Sequence, residues 1–160
     1  MSLRLTDTDT TVAVGRRLAS LLRAGDLVVL TGGLGAGKTT LTRGLGEGLG
    51  VRGAVTSPTF VIARVHPSLS GGPELVHVDA YRLGGTAELD DLDLDADLDA
   101  AVTVVEWGAG LVEGLADDRL EITLVADPAT EERRLEARGV GSRWAGTDVE
   151  AHLQDEGGTP

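Results

Sequence analysis

Lys38 is the only lysine among the 160 residues, and it lies in the segment that most constrains the fold. Residues 32–39 read Gly-Gly-Leu-Gly-Ala-Gly-Lys-Thr and match G-x-x-x-x-G-K-[ST], the pattern of a phosphate-binding P-loop. The sequence otherwise favours arginine strongly, since 13 of its 14 Lys and Arg residues are Arg. A P-loop needs a compact ammonium that reaches the β- and γ-phosphates, which a planar guanidinium supplies poorly. The retained lysine therefore predicts that the chain binds a nucleoside triphosphate.

This glycine-rich segment stands between a predicted strand and a predicted helix. Residues 27–30 form a short apolar run, which is typical of a strand buried on both faces. Leu41, Leu45 and Leu49 follow at four-residue spacing, which indicates a helix. A strand, a glycine loop and a helix in this order form the context that a P-loop requires.

The rest of the chain predicts an α/β protein. A first helix is expected over residues 10–23, and a turn over residues 66–73. Apolar or alternating runs predict further strands at residues 75–79, 102–106, 120–125 and 134–140, and a loop that enters a strand at residues 55–63. The last strand is expected to pair antiparallel with its predecessor. The predicted fold is a P-loop NTPase-type three-layer sandwich, with a mainly parallel sheet and antiparallel additions.

Composition limits the domain organisation and the partners. Apolar residues make up 41% of the chain and charged residues 25%, as in an ordinary globular domain. We expect one P-loop domain over residues 1–141 and a disordered tail over residues 142–160, where the hydrophobic pattern fades. Cysteine is absent, and the sequence has neither an apolar leader nor a stretch of membrane-spanning length, which favours a cytoplasmic location. The net charge of −12 disfavours direct binding of nucleic acid.

The P-loop match assigns specific roles to its residues. Backbone N–H groups of the loop and the positive end of the following helix would hold phosphate oxygens. Lys38 would bridge the β- and γ-phosphates, Thr39 would offer its hydroxyl to Mg²⁺, and Thr40 would lie near the α-phosphate. The predicted nucleotide-binding residues are Gly33, Leu34, Gly35, Ala36, Gly37, Lys38, Thr39 and Thr40. The chain has no Asn with which to read guanine, and its one lysine is already assigned to phosphate, so ATP is favoured over GTP.

Two acids follow predicted strands and are candidates for the metal site and for catalysis. Asp79 and Glu106 each end an apolar run, and ligands of open α/β sheets bind beyond such strand ends. The shorter Asp79 suits a metal shell, whereas the longer Glu106 can reach a water molecule in line with the γ-phosphate. The alternative is that either acid merely ends its strand and points into solvent.

Four motifs together resemble the TsaE family of bacterial ATPases, which serve the synthesis of threonylcarbamoyladenosine in tRNA. They are the P-loop at residues 32–40, Ser-Pro-Thr-Phe at 57–60, His-Val-Asp-Ala-Tyr-Arg-Leu at 77–83 and Val-Glu-Trp at 105–107, and the similarity covers residues 15–140. The resemblance implies that Lys38 and Thr39 hold phosphate and Mg²⁺. It further implies that Asp79 belongs to the metal shell and that Glu106 is required for hydrolysis.

The same resemblance implies partners and further site residues. Thr59 would lie in a switch-like segment near the γ-phosphate, and Trp107 would pack beside the site. The partners would be TsaB-like and TsaD-like proteins, with tRNA reached only through them. At Gly33 the sequence departs from the Asp that is usual in the family, which puts the rigidity of the loop in question. We take Lys38 and Glu106 as the catalytic candidates, and Thr39, Asp79 and Glu106 as the metal candidates.

Other readings remain open at the level of sequence. A small-molecule kinase shares the fold and the P-loop, and Arg133, Arg134 and Arg138 could form its lid, although an exposed strand is the favoured interpretation of that cluster. A third reading is an adaptor in which ATP only sets the shape. Residues 88–99 are acidic but lack the central glycine of a calcium loop, and we interpret them as a solvated surface. His77 is interpreted as a neutral strand histidine rather than a metal ligand, because Mg²⁺ prefers oxygen. Arg82 could stabilise phosphate charge or pair with these acids.

Overall fold

The computed structural model describes residues 3–32, 37–51, 63–79, 100–106, 118–127, 129–130 and 132–154. These residues form a seven-stranded sheet in the order β1-β7-β6-β2-β5-β4-β3. The strands are β1 (Leu3–Leu5), β2 (Leu27–Gly32), β3 (Ala63–His66), β4 (Glu74–Asp79), β5 (Ala101–Glu106), β6 (Arg119–Ala126) and β7 (Arg133–Val140). The α-helices are α1 (Thr8–Leu21), α2 (Lys38–Leu49) and α3 (Val149–Gln154).

The centre of the sheet is parallel and its margins are antiparallel. Strands β6, β2, β5 and β4 pair in parallel, while β7 pairs with β6, β1 with β7, and β3 with β4 in antiparallel fashion. Every residue of β5 is buried, as expected of an inner parallel strand, whereas burial alternates along the first part of β6. The predicted α/β fold, with antiparallel additions, is confirmed. The described helices share one apolar cluster with the sheet, so they account for one outer layer of the sandwich.

Helices α1 and α2 pack with their backbones in close contact, and glycine makes this possible. A Cβ atom at Gly44 would lie 2.2 Å from the carbonyl oxygen of Val12, and one at Gly15 would lie 2.4 Å from that of Leu41. Neither helix could keep this position with a larger residue, because backbone atoms cannot yield as a flexible side chain can. The close contact fixes α2 against α1, and with it the end of α2 that carries Lys38.

The beginning of the chain is more ordered than the sequence indicated. The Asp7 side chain accepts the backbone N–H of Thr10, so α1 begins at Thr8, two residues before the predicted start. The three-residue strand β1 was not predicted, because a strand this short carries no readable periodicity. It pairs with the first residues of β7 and so covers that edge of the sheet.

The prediction of a disordered tail from residue 142 is wrong for residues 142–154. Ser142–Trp144 forms a 3₁₀ turn and α3 follows it. The side chains of Trp144, Val149 and Leu153 are buried in the same apolar cluster as α1 and the sheet. Three anchors separated by polar residues give no periodic signal, which explains the error. The domain therefore extends beyond residue 141, and residues 155–160 lie outside the described part of the chain.

Arg143 fixes this C-terminal segment to the start of β2. Its guanidinium donates to both carboxylate oxygens of Asp26, at 3.0 and 2.9 Å, and to the carbonyl oxygen of Leu21 at 2.7 Å. The guanidinium carbon also lies 4.1 Å from the centroid of the Trp144 ring. Arg143 thereby joins the end of α1, the start of β2 and the C-terminal segment.

None of the described helices is long and apolar enough to cross a membrane.

Candidate functional site

The P-loop match begins at the end of β2 and ends on the first turn of α2, as its sequence context predicted. Gly32 is the last residue of β2, and Gly37 precedes α2 with φ 100° and ψ 15°. This left-handed conformation favours glycine, because a side chain would be strained there. The predicted binding residues Gly33, Leu34, Gly35 and Ala36 lie outside the described residues. The strand and the helix that flank them stand in the order that the motif requires.

The N-terminus of α2 has the character of an anion-binding end. Among the described residues no side chain caps it, and its first turn holds no acid. By contrast, α1 has the Asp7 cap and Asp9 in its first turn. The first N–H groups of a helix lack partners within the helix and carry positive partial charge, so an uncapped end favours phosphate. Thr39 and Thr40 lie half-buried in this turn.

Lys38 is the first residue of α2 and is buried, with 6% of its surface exposed. Its Nζ donates a hydrogen bond to the carbonyl oxygen of Gly32 at 2.8 Å. The lysine ammonium therefore lies beside the end of β2 and closes the base of the glycine segment. Burying an ammonium is costly unless polar or negative groups surround it. A phosphate group is such a partner, and the position of Nζ suits the role predicted from the motif.

The two candidate acids end neighbouring strands and lie at the same edge of the sheet, the one formed by the C-terminal ends of its parallel strands. Asp79 closes β4 and Glu106 closes β5, and the two are partners in the parallel register. Glu106 is also in register with Leu30 of β2, the strand that leads into the P-loop segment. Glu106 is 5% exposed, so the alternative in which it points into solvent is wrong. For Asp79 the backbone position is described and its side chain is not.

His77 contacts Glu106, which the sequence interpretation missed. The imidazole is fully buried on β4, and its Nε2 forms a hydrogen bond with Oε2 of Glu106. The prediction of a strand histidine is confirmed, and its polar partner is the catalytic candidate itself. The sequence did contain one signal for this contact. His77 and Asp79 are two residues apart, and positions two apart on a strand share one face, so β4 carries His77 close to the end of β5 where Glu106 lies.

Arg133 lies against Gly37, a contact that sequence reasoning did not foresee. Its side chain packs against Gly37, where a Cβ atom would lie 3.2 Å from Cδ and 3.4 Å from Nε of Arg133. The cluster with Arg134 and Arg138 lies on β7, as the favoured interpretation expected, and Arg134 and Arg138 are exposed. Arg133 reaches Gly37 because β7 pairs with β1 and β6, and no local sequence pattern encodes that pairing.

The fit of Mg²⁺ rests on oxygen donors at this edge. Thr39 is the second residue of α2 and Glu106 is a buried carboxylate, and both offer the oxygen ligands that Mg²⁺ prefers. In the described part of the chain, no three His, Cys, Asp or Glu side chains cluster closely enough to hold a metal alone. Mg²⁺ is usually held by one or two protein oxygens together with phosphates. The metal set Thr39, Asp79 and Glu106 stays a prediction.

Several sequence candidates fall outside the described residues. Thr59, Trp107 and Arg82 are among them, as is the acidic segment 88–99. The roles assigned to Thr59 and Trp107 by resemblance stay predictions, and so does the interpretation of the acidic segment as a solvated surface.

In this chain a parallel strand leads through a glycine-rich segment into a helix, and the strands β5 and β4, which follow β2 in the sheet, each end on an acid. This arrangement defines an α/β protein of the P-loop NTPase-type fold. The model of the family described as "Threonylcarbamoyl adenosine biosynthesis protein TsaE" matches residues 5–135. The chain belongs to the TsaE family.

Individual relatives agree with this assignment. A TsaE protein of Streptomyces coelicolor, named as a tRNA threonylcarbamoyladenosine biosynthesis protein, is 69% identical over 140 residues, which cover 85% of this chain and 95% of that protein. The Bacillus subtilis protein of the same name is 37% identical over 142 residues, covering 88% and 87%. The crystal structure of Bacillus subtilis YdiB superposes with a TM-score of 0.70 at 31% identity, covering 90% of this chain and 88% of that one. Family membership connects the chain with the synthesis of threonylcarbamoyladenosine in tRNA.

Proposed function

We propose that the protein is a P-loop ATPase that binds and hydrolyses Mg-ATP in complex with TsaB-like and TsaD-like proteins during tRNA modification. One observation carries the proposal: three features lie at one edge of the sheet, namely the N-terminus of α2, which no described side chain caps, the buried ammonium of Lys38 and the buried carboxylate of Glu106. Family membership supplies the pathway, and a cytoplasmic location is part of the proposal.

In the proposed complex, the phosphates of ATP bind at the N-terminus of α2. The N–H groups of residues 33–40 donate to phosphate oxygens, and Lys38 neutralises the β- and γ-phosphates. Thr59 completes the site near the γ-phosphate. Thr39, Asp79 and Glu106 would supply oxygen ligands to Mg²⁺. When bound, Mg²⁺ neutralises part of the charge on the β- and γ-phosphates.

Hydrolysis is assigned to Glu106. Its carboxylate accepts a proton from a water molecule while the water oxygen bonds to the γ-phosphorus. The bond from this phosphorus to the bridging oxygen of the β-phosphate breaks, which gives ADP and inorganic phosphate. Lys38 stabilises the negative charge of the transferred group. The low exposure of Glu106 supports this role, because a buried carboxylate is held away from bulk water.

The partners are expected to activate this reaction. P-loop enzymes often receive a stabilising positive charge from a second protein, which contributes about 10³–10⁵ in rate. With a net charge of −12, the chain itself is a poor ligand for a phosphate backbone. We therefore assign contact with tRNA to the TsaB-like and TsaD-like proteins. ATP would favour one arrangement of the segment around Thr59, so nucleotide binding and partner binding would be coupled in both directions.

The kinase alternative is weakened by the position of the arginine cluster. Arg133, Arg134 and Arg138 lie on β7, which pairs with β6 on one side and with β1 along its first residues on the other. A kinase lid must move over its substrate. A strand that is hydrogen-bonded to a neighbouring strand on each of its two sides is not free to move in this way. Phosphate release without an added acceptor would separate an ATPase from a kinase. Retention of biological activity in Glu106→Ala would instead favour the nucleotide-gated adaptor.

The test is a titration of the purified TsaB-like and TsaD-like pair into this protein with ATP, with ADP or without nucleotide. Association is followed by calorimetry, and phosphate release is measured in the same samples. We expect slow hydrolysis by the protein alone, acceleration by the pair, and association that depends on the nucleotide. Full-rate hydrolysis alone, with association indifferent to nucleotide, would contradict the coupling. Absence of nucleotide binding would contradict the proposal as a whole.

A further inference from the structure

The contact between His77 and Glu106 is built into the sheet by the register of two parallel strands. His77 on β4 is the register partner of Val104 on β5, and Glu106 follows Val104 by two residues. Side chains two residues apart on a strand point to the same face, so the imidazole and the carboxylate share one face. Nε2 and Oε2 meet there in a hydrogen bond between two buried side chains.

His77 is a polar residue at a fully buried strand position, and packing alone does not account for an imidazole there. The neighbouring positions Leu75, Val76 and Val78 on β4 are apolar and buried. The Nδ1 atom of His77 is also buried, and within the described part of the chain it has no hydrogen-bond partner. A buried polar atom without a partner destabilises the fold relative to an apolar side chain of similar size. The position therefore keeps a polar group at a cost in stability, and the group that it contacts is the candidate for catalysis.

We propose that His77 is a positioning residue that holds the Glu106 carboxylate in the orientation required for ATP hydrolysis, an inference that rests on the proposed function. A carboxylate only accepts hydrogen bonds, so the bond is donated by the N–H at Nε2. Three rotatable bonds link the Glu106 carboxylate to its strand, and a fixed donor at Oε2 restricts them before the substrate arrives. Such restriction contributes to rate, because a misplaced catalytic group loses much of its effect.

This role requires no contact between His77 and the nucleotide. The imidazole acts through Glu106, so its loss should lower the rate constant for hydrolysis and leave the affinity for ATP unchanged. Loss of a side chain that orients a catalytic or ligating group typically lowers activity by about 10–100-fold. A merely structural role would instead lower thermal stability, with the rate per folded molecule unchanged.

The experiment compares His77→Leu, which has no donor, with His77→Gln, whose amide can place an N–H near the position of Nε2. Hydrolysis is measured in a single turnover by the full chain with its TsaB-like and TsaD-like partners, and ATP affinity and thermal melting are measured on the same samples. We expect a rate about 10–100-fold lower for His77→Leu and substantial recovery for His77→Gln. Val78→Ala is the matched control, because Val78 is equally buried on β4 but points to the opposite face.

A double-mutant cycle tests whether His77 acts through Glu106. In the Glu106→Gln background, His77→Leu should lower the residual rate no further, because the group that it positions is already lost. A full additional loss in that background would overturn the positioning role, as would wild-type hydrolysis by His77→Leu.

Two further outcomes are distinguishable. If His77→Leu does not fold, His77→Gln and His77→Asn carry the test, since the Asn amide lies nearer Nδ1; equal rates for these two would overturn the inference. If Glu106→Gln itself hydrolyses ATP at the wild-type rate, the proposed function fails. If Glu106→Gln is defective and His77→Leu is not, only the positioning role fails.

Discussion

Asp26 and Glu106 are both 5% exposed. Asp26 lies at the edge formed by the N-terminal ends of the parallel strands, and Glu106 lies at the edge formed by their C-terminal ends. Asp26 precedes β2 and accepts two N–H groups of Arg143 and the backbone N–H of Arg23. Glu106 ends β5 and is bonded to the imidazole of His77. A guanidinium satisfies a carboxylate in charge and in geometry. An imidazole fixes the orientation of a carboxylate without being a permanent cation, which leaves the carboxylate able to act on a ligand.

The two ends of α1 and α2 repeat this contrast. At the Asp26 edge, Arg143 donates to the carbonyl oxygen of Leu21, the last residue of α1. At the opposite edge, α2 begins without a side-chain cap among the described residues. A satisfied helix end stabilises the fold, whereas an uncapped N-terminus keeps its donors for an anion. We infer that the Asp26 edge serves stability and the Glu106 edge serves function, and four predictions test this division.

The largest effect is expected from Glu106→Gln. The amide keeps the size of the side chain but cannot accept a proton, so hydrolysis should fall by about 10²–10⁴. Because the change is nearly isosteric, thermal stability should change little. Single-turnover phosphate release and thermal melting are the measurements. Asp79→Asn is the comparison variant, and we expect it to weaken binding of Mg-ATP more than binding of ATP without metal. An exchange of the two phenotypes would reverse the assigned roles.

The second effect concerns the opposite edge. Arg143→Ala leaves Asp26 buried without its guanidinium partner, and the free energy of unfolding should fall by about 3 kcal/mol. Hydrolysis per folded molecule should be unchanged, because the Asp26 edge lies away from the site. Denaturant unfolding measures the first quantity and phosphate release the second. A wild-type unfolding midpoint would show that the C-terminal segment contributes little, while a selective loss of hydrolysis would contradict the division between edges.

The third effect is a loss of binding. Lys38→Ala removes the lysine contact with the phosphates, and loss of one charge-assisted hydrogen bond costs about 1.5–3 kcal/mol. ATP affinity measured by calorimetry should therefore fall at least about tenfold. Arg43→Ala is the control, since Arg43 is an exposed cation on the same helix. Equal losses in both variants would indicate a general effect of charge rather than a specific phosphate site.

The sequence predicted those parts of the molecule that depend on local pattern. The apolar runs before Asp79 and Glu106 identified β4 and β5, because inner parallel strands are buried on both faces. The P-loop match was readable because its glycines and lysine are contiguous, and the described strand β2 and helix α2 flank it in the predicted order. The bond between His77 and Glu106 joins residues 29 positions apart, and it depends on a strand register that no local pattern specifies.

The order of the C-terminal segment was mispredicted, and the close contact between α1 and α2 was not predicted at all, for a related reason. Residues 142–154 hold their place through Arg143 and Trp144, whose partners lie more than 100 positions earlier in the chain or in the assembled core. Gly44 reads in the sequence as a weak helix residue, and only the packed structure shows that Val12 leaves no room for a side chain. Tertiary contacts decide such positions, so the pattern of a single segment could not reveal them.

The smallest effect is a pH dependence at the first turn of α1. Oδ1 of Asp7 accepts the hydroxyl and the backbone N–H of Thr10, both at 2.7 Å, and these bonds hold the pKa of the Asp7 carboxyl below its ordinary value of 3.8. A carboxyl whose pKa is lowered by folding stabilises the folded state above its unfolded pKa, and this contribution is lost as the pH falls through the folded pKa. Asp7→Asn keeps an acceptor but does not titrate. Wild type should therefore melt at a slightly higher temperature than Asp7→Asn at pH 7, and the difference should disappear in acid below the folded pKa.

Glu132→Gln is the control for acid sensitivity elsewhere, because the Arg4 guanidinium lowers the pKa of Glu132 as well. A difference between wild type and Asp7→Asn that is constant with pH would show that the cap acts through its geometry and not through its charge.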